Sequence, residues 1–344
     1  MQKSILSFIG KKEIYPTVFY LNYTNTEHYS TEYLYSIPVD AICIGKIKWN
    51  YSKNDLHIYI HKKLHITNNN KYEFTKAYST NNVSLLKSQL QKIIRRKLNN
   101  MAINIAYQFI NLDLNEFLRR LLIITLEDVI LNSYFPVLAW MMVAYSTNKW
   151  SPTKDDINWL LNYVDYLCNI DYREAYGKID ETTPAPAHIN SFYNSLIFSM
   201  ELRKSYGGMK GDMKFINWYI QEWNNRFTNN ITQYINTLNI KMTIKTIDLN
   251  MELIKPVNML KEGVDFHNYP QILENIHKFY PKYNLEDIKK SIWEFSSKYN
   301  KRNFINDHYP DLNKEIYIKL ENIWNKIKEK KNELTHKYLL QNTL

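Results

Sequence analysis

The spacing of apolar residues changes once along this chain, and that change constrains its fold more than any other feature. Between about Tyr15 and Ile66 the segments TVFYLNY, PVDAICIGKIKW and LHIYIHKKLHI are rich in β-branched and aromatic residues. Leu56, Ile58 and Ile60 alternate with polar residues there, the period of a strand with one buried face. A small β-rich unit of three or so strands is expected. The polar stretch 67–82 closes it as a linker or loop. From Val83 onward the spacing is helical, and glycine is scarce, with seven in 344 residues.

Helices are predicted over 83–98, 101–111, 115–131, 135–146, 154–169, 189–205, 212–226, 228–238, 270–280, 285–299 and 313–339, with one strand over 241–249. Thr153 ahead of Asp155 and Asp156 reads as an N-cap followed by an acidic first turn. Pro184 and Pro186 in IDETTPAPAH cannot continue a helix and mark a loop. The expected class is mostly α, a multi-helix body with a small β-rich N-terminal unit (α+β). Its expected parts are an exposed peptide at 1–12, the β-rich unit and linker at 13–82, a helical domain at 83–180 and a second helical region at 181–344.

Composition narrows the classes of function. Hydrophobic residues make up 45% of the chain and the mean hydropathy is -0.46, as in soluble globular proteins. The most apolar stretch, 134–145, is too short to span a bilayer, and no secretory signal is evident, so an intracellular protein without a membrane partner is expected. Cys43 and Cys168 support neither a disulfide framework nor a zinc module. The net charge of +10 fits a nucleic-acid partner or a lysine-biased surface. The wealth of Asn, Ile, Lys and Tyr points to an AT-rich genome, such as that of a large DNA virus or of a protist with such codon usage.

The first twelve residues, MQKSILSFIGKK, place Gln2, Ile5, Phe8 and Ile9 at a meaningful spacing. One tight helical turn puts Ile5, Phe8 and Ile9 on one side, because residues three and four apart are neighbours. Gln2 adds an amide that both donates and accepts, and Lys11 and Lys12 suit an acidic surface. The pattern resembles the PIP box, the peptide by which replication and repair proteins bind the sliding clamp PCNA. The second aromatic position of that motif holds Ile9, which fills less of the pocket, and micromolar affinity is the expectation. The alternative is a terminal turn whose Ile5, Leu6, Phe8 and Ile9 pack on the chain's own core.

A second resemblance covers about forty residues. Lys92, Arg96, Ala102, Ala106, Asp113, Arg119-Arg120-Leu121 and Glu127-Asp128 follow nearly the order and spacing of the helical region after the ATPase domain in clamp-loader-like AAA+ proteins of the RarA and Werner-interacting type. The resemblance implies an assembly or docking module. No GxxxxGK followed by Ser or Thr occurs, so no ATP hydrolysis is expected. Read from the residues alone, these charges form ion pairs around an apolar stripe.

Ser205–Asp212, SYGGMKGD, holds three of the seven glycines between two helices. Arg203, Lys204, Gly207, Gly208, Lys210 and Gly211 are the candidates for contact with a phosphate or a nucleic-acid backbone. The alternative is a helix connection in which Gly207 or Gly208 ends one helix and Asp212 caps the next. Asp265 and His267 form a loop pair suited to acid–base work if a reacting group meets it. Trp218 and Trp223 beside Arg226 suit base stacking or a core. His57, His61 and His65 lack cysteine or acidic neighbours for a metal. No catalytic residue, metal or cofactor is assigned.

The sequence reading is therefore a non-catalytic replication or repair accessory protein in the nucleus or a viral replication compartment. It docks on a PCNA-type clamp through Gln2, Ile5, Phe8 and Ile9, and engages DNA or another replisome component with its helical body. A clamp-tethered nucleic-acid-processing enzyme, and a structural subunit without clamp contact, are the alternatives.

Overall fold

The computed structural model describes residues 15–23, 29–49, 54–64, 71–75, 82–174, 191–305 and 313–342. Gln2, Ile5, Phe8, Ile9 and His65, and the loop bearing Pro184 and Pro186, lie outside them. The chain is mostly α with a small N-terminal sheet, as the change in apolar spacing predicts. That sheet has four strands, β1 (Val18–Tyr23), β2 (Tyr29–Leu34), β3 (Ala41–Lys48) and β4 (Asp55–His61), in the order β2-β1-β4-β3. β1 runs antiparallel to β2 and parallel to β4, while β3 is antiparallel to β4. β2 is the strand that sequence reading missed. It is an edge strand whose residues YSTEYL are half-buried, so its apolar alternation is weak.

Ten α-helices follow among the described residues: α1 (Val83–Arg95), α2 (Asn99–Asp128), α3 (Phe135–Ser146), α4 (Lys154–Asn169), α5 (Ser191–Ser205), α6 (Lys210–Thr228), α7 (Thr232–Ile235), α8 (Ile272–Phe279), α9 (Leu285–Ile292) and α10 (Lys314–Gln341). The two helices predicted over 101–111 and 115–131 are the arms of α2. At Asp113 the backbone leaves the helical region (φ -158, ψ 89), and its carboxylate accepts from the Glu116 N–H at 2.9 Å, starting the second arm as an N-cap does.

α3, FPVLAWMMVAYS, carries no charge and is apolar all round, the signature of a helix buried on every side. It touches all four strands, and Trp140 Nε1 donates to the Tyr59 carbonyl at 3.1 Å. Phe19, Leu21, Ile58 and Ile60 point from the sheet into the same continuous core as α1–α6. Ile272, Ile276, Ile288, Ile292, Ile323 and Ile327 form a smaller core between α8, α9 and α10. No described helix is long and apolar enough to cross a membrane.

The strand predicted over 241–249 is not one. Met242 and Ile244 do turn inward, but the backbone pairs with side chains instead of a neighbouring strand. Asn162 of α4 donates to the Lys245 carbonyl at 2.8 Å and accepts its N–H at 3.0 Å, and Asn158 accepts the Ile247 N–H at 2.9 Å. Helix-borne amides thus satisfy an extended segment lying across α4.

Thr153 caps α4 as expected. Its hydroxyl accepts the Asp156 N–H at 3.1 Å, and Asp156 accepts the Thr153 N–H at 2.7 Å in return. Thr153→Ala is expected to lower stability by about 1 kcal/mol, read as the shift in urea midpoint at unchanged m-value.

Candidate functional site

α1 and the second arm of α2 face each other through two polar stripes at helical spacing. Ser84, Lys87, Ser88, Gln91, Lys92 and Arg95 project from α1, and Glu116, Arg119, Arg120, Ile123 and Glu127 from α2. The opposite side of α1, with Leu85, Leu86, Leu90, Ile93 and Ile94, is wholly buried in the core. A cavity of about 390 Å³ lies between the stripes. It is closed by Arg203 of α5, by Gly208, Met209 and Asp212 at the start of α6, and by His267, Asn268 and Trp293.

Three separate segments singled out in the sequence thus meet in one place: the charges of 92–128, the glycine loop and the Asp265–His267 pair. Arg203 and Gly208 line the cavity, and Gly207 braces it by accepting from Arg203 Nη1 at 2.8 Å. Gly207 has φ +68 and ends α5, while Gly208 has φ +153. A Cβ at Gly208 would stand 3.2 Å from Met213 and 3.7 Å from Arg203 Nη2, so glycine keeps the loop close to that guanidinium.

Lys204 is not part of the lining. It donates to Asn217 at 2.8 Å and pairs with Glu201. Lys210 and Gly211 are exposed at the start of α6. Asp212 is not the cap that the alternative reading of this loop makes it. The N-cap is Met209, without a side-chain bond, and the Asp212 carboxylate lies 3.7 Å from Arg120.

The charges sort into partners. Glu116 meets Lys87 and, at 3.1 Å, Arg119. Asp128 meets Arg95 Nε, with Glu127 at 3.4 Å from the same guanidinium. Arg120 is shared between Glu127 and Asp212, and Gln91 bridges Arg120 to Asp128. Lys92 meets Asp265 at 2.7 Å and donates to Ser88 at 2.6 Å. Arg203 differs from all of these. It is 3% exposed, its Nε and Nη1 donate to the Arg119 and Gly207 carbonyls, and no described carboxylate pairs with it. Burial and the nearby Arg119 push its guanidinium down to about 10, although Asp212 and Glu116 favour the charge. Arg119 Nε, also buried, has no hydrogen-bond partner among the described residues.

Asp265 anchors the rear wall. Fully buried, it accepts from Lys92 and Ser297 through Oδ2 and from the His267 N–H through Oδ1. Burial opposes its ionisation, but the bond from His267 and the charge of Lys92 outweigh it and hold the carboxyl far below the usual range. An ionised carboxylate only accepts, so His267 Nδ1, 3.1 Å from Oδ1, carries the proton and Nε2 is the basic atom of the neutral ring. Burial, helped by Asp128, pushes the Glu127 carboxyl up.

The helix predicted over 285–299 changes winding at the cavity. After α9, residues Trp293–Ser297 make a π turn, which leaves the Ser296 and Ser297 carbonyls to accept from Arg96 at 2.7 Å and Arg95 at 2.8 Å. Lys87, Gln91, Arg95, Met209 and Trp293 were not singled out in the sequence. The one available signal was the unbroken polar stripe of α1, which reads equally as a solvated helix face.

Trp218 and Trp223 are core residues, 4% and 0% exposed, and Arg226 forms a two-pronged pair with Glu174 at 2.6 and 3.0 Å. No group of three or more His, Cys, Asp or Glu suited to a metal ion occurs among the described residues. No family model, curated protein or solved structure matches the chain.

Proposed function

We propose that this chain is a DNA replication or repair accessory protein that docks on a PCNA-type sliding clamp through Gln2, Ile5, Phe8 and Ile9 and contacts DNA phosphates with its helical body. The observation that carries the DNA contact is Arg203, a buried guanidinium at the cavity wall with no carboxylate within ion-pairing distance, Asp212 and Glu116 lying farther off. Burying a charge without its counter-ion is costly, and a bound anion supplies what the protein leaves out. Arg119 adds a second guanidinium to the lining, and the uncapped start of α6 adds backbone N–H groups beside it. The net charge of +10 favours the encounter with a polyanion and makes it salt-dependent. The clamp contact rests on the N-terminal resemblance.

Two measurements test the two halves. Clamp pull-down should retain the intact chain, while Phe8→Ala and Ile5→Ala each reduce retention about tenfold or more; equal retention of all three removes the clamp contact. Fluorescence anisotropy with single-stranded DNA should show Arg203→Met binding at least tenfold more weakly at moderate salt; unchanged affinity removes the cavity as the DNA contact.

A clamp-tethered enzyme acting on nucleic acid is the second reading. It is favoured by the Asp265–His267 pair, whose fixed tautomer presents Nε2 as a base in the same cavity as Glu127. Cleavage of DNA lost in His267→Gln and retained in a folded Ile316→Ala control, an exposed position of α10, would support it. Absence of cleavage across divalent metals excludes it.

A further inference from the structure

We infer that the cavity seats a terminal phosphate monoester, carried by a nucleotide or by the end of a nucleic-acid strand, and not the internal backbone of a continuing strand. This deepens the proposed DNA contact and rests on it. Arg203, which has no carboxylate within ion-pairing distance, is 3% exposed, so a phosphate must enter the cavity to reach it. The backbone of a duplex lies along a surface with a neighbouring phosphate on each side, whereas Arg203 stands in a recess of about 390 Å³. That volume falls within the range of sites that enclose one small ligand.

A monoester also carries more charge than a diester, close to -2 at neutral pH. That suits a wall where Arg203 has no carboxylate within ion-pairing distance and Arg119 adds a second guanidinium. The same cavity holds two exposed apolar side chains, Trp293 at 38% and Met209 at 63%. Trp293 offers a face on which the attached base stacks.

The test uses the whole chain and one fluorescent single-stranded oligonucleotide in three forms: 5′-phosphate, 3′-phosphate and both ends hydroxyl. Competitors are a circular single strand, the deoxynucleoside monophosphate and inorganic phosphate. At least one phosphorylated end should bind tenfold or more tightly than the hydroxyl form. Arg203→Met should abolish that preference and Arg203→Lys should keep part of it, with unchanged circular dichroism establishing that each variant folds. Trp293→Leu should weaken oligonucleotide binding several-fold and leave inorganic phosphate untouched. A monophosphate that competes as well as the strand end assigns the site to free nucleotides; one that competes poorly assigns it to strand ends. Equal binding of hydroxyl, phosphorylated and circular strands, all lost in Arg203→Met, overturns the terminal-phosphate inference and leaves the DNA contact standing. Indifference of every form to Arg203→Met overturns both.

Discussion

Replacing Asp265 with alanine is expected to cost about 3–5 kcal/mol of stability, because it strands a buried ammonium without its partner. Lys92 is 3% exposed and has Asp265 as its only carboxylate within ion-pairing distance among the described residues. The same carboxylate holds the loop before α8, through the His267 N–H, against the π turn, through Ser297. Its removal therefore loosens three elements around the cavity. The pH dependence has a definite sign. The folded carboxyl is held far below its ordinary value, so its contribution is present above the unfolded value near 4 and is lost as pH falls below it. The gap between wild type and Asp265→Ala, read from urea midpoints, should be full at pH 7 and shrink below about pH 4. Exchanging both partners, Lys92→Met with Asp265→Leu, should recover most of the loss, since an apolar pair leaves no stranded charge. A double variant as unstable as Asp265→Ala would show that Asp265 acts through the loop geometry instead.

Asp265 also shows what sequence makes legible and what it leaves hidden. Periodicity is a local property, so α3 and α4 were readable to the residue, and Asp113 could be found as the break between two helical patterns. The extended segment over 241–249 has the alternation of a strand, but its partners are Asn158 and Asn162, some eighty residues earlier. No pattern within the segment reveals that. The site follows the same division. The glycine loop and the Asp265–His267 pair stand out because their residue types are unusual together. That they share a cavity depends on α1 lying against α2, and on α5 and α6 closing its end. The decisive distinction, that Lys204 has a carboxylate within ion-pairing distance and its neighbour Arg203 does not, is one of helix rotation. Adjacent residues on a helix point about 100° apart, and only packing says which one faces inward.

Lys331→Met should raise stability by about 2 kcal/mol at pH 7, a gain from deleting a charge at the back of the same network. Lys331 of α10 is 1% exposed and donates to the Lys261 carbonyl at 2.9 Å. Burial pushes its ammonium down to about 8, although Glu262 and Asp265 favour the charge. The unfolded chain keeps the ordinary value near 10.5, so below pH 8 the folded state holds a proton it binds more weakly than the unfolded state does. That difference is worth about 3 kcal/mol against folding, and the bond to Lys261, worth about 1, offsets part of it. Methionine has a similar length and no charge, so it removes the penalty along with the bond. The sign with pH is the reverse of that for Asp265. As pH rises from about 8 to 10.5 the wild type sheds its penalty, and the advantage of Lys331→Met should shrink and vanish. Comparing the two proteins at each pH cancels the buried tyrosines, which titrate in both. A methionine variant less stable at pH 7 would mean that the Lys261 bond outweighs the cost of burying the charge.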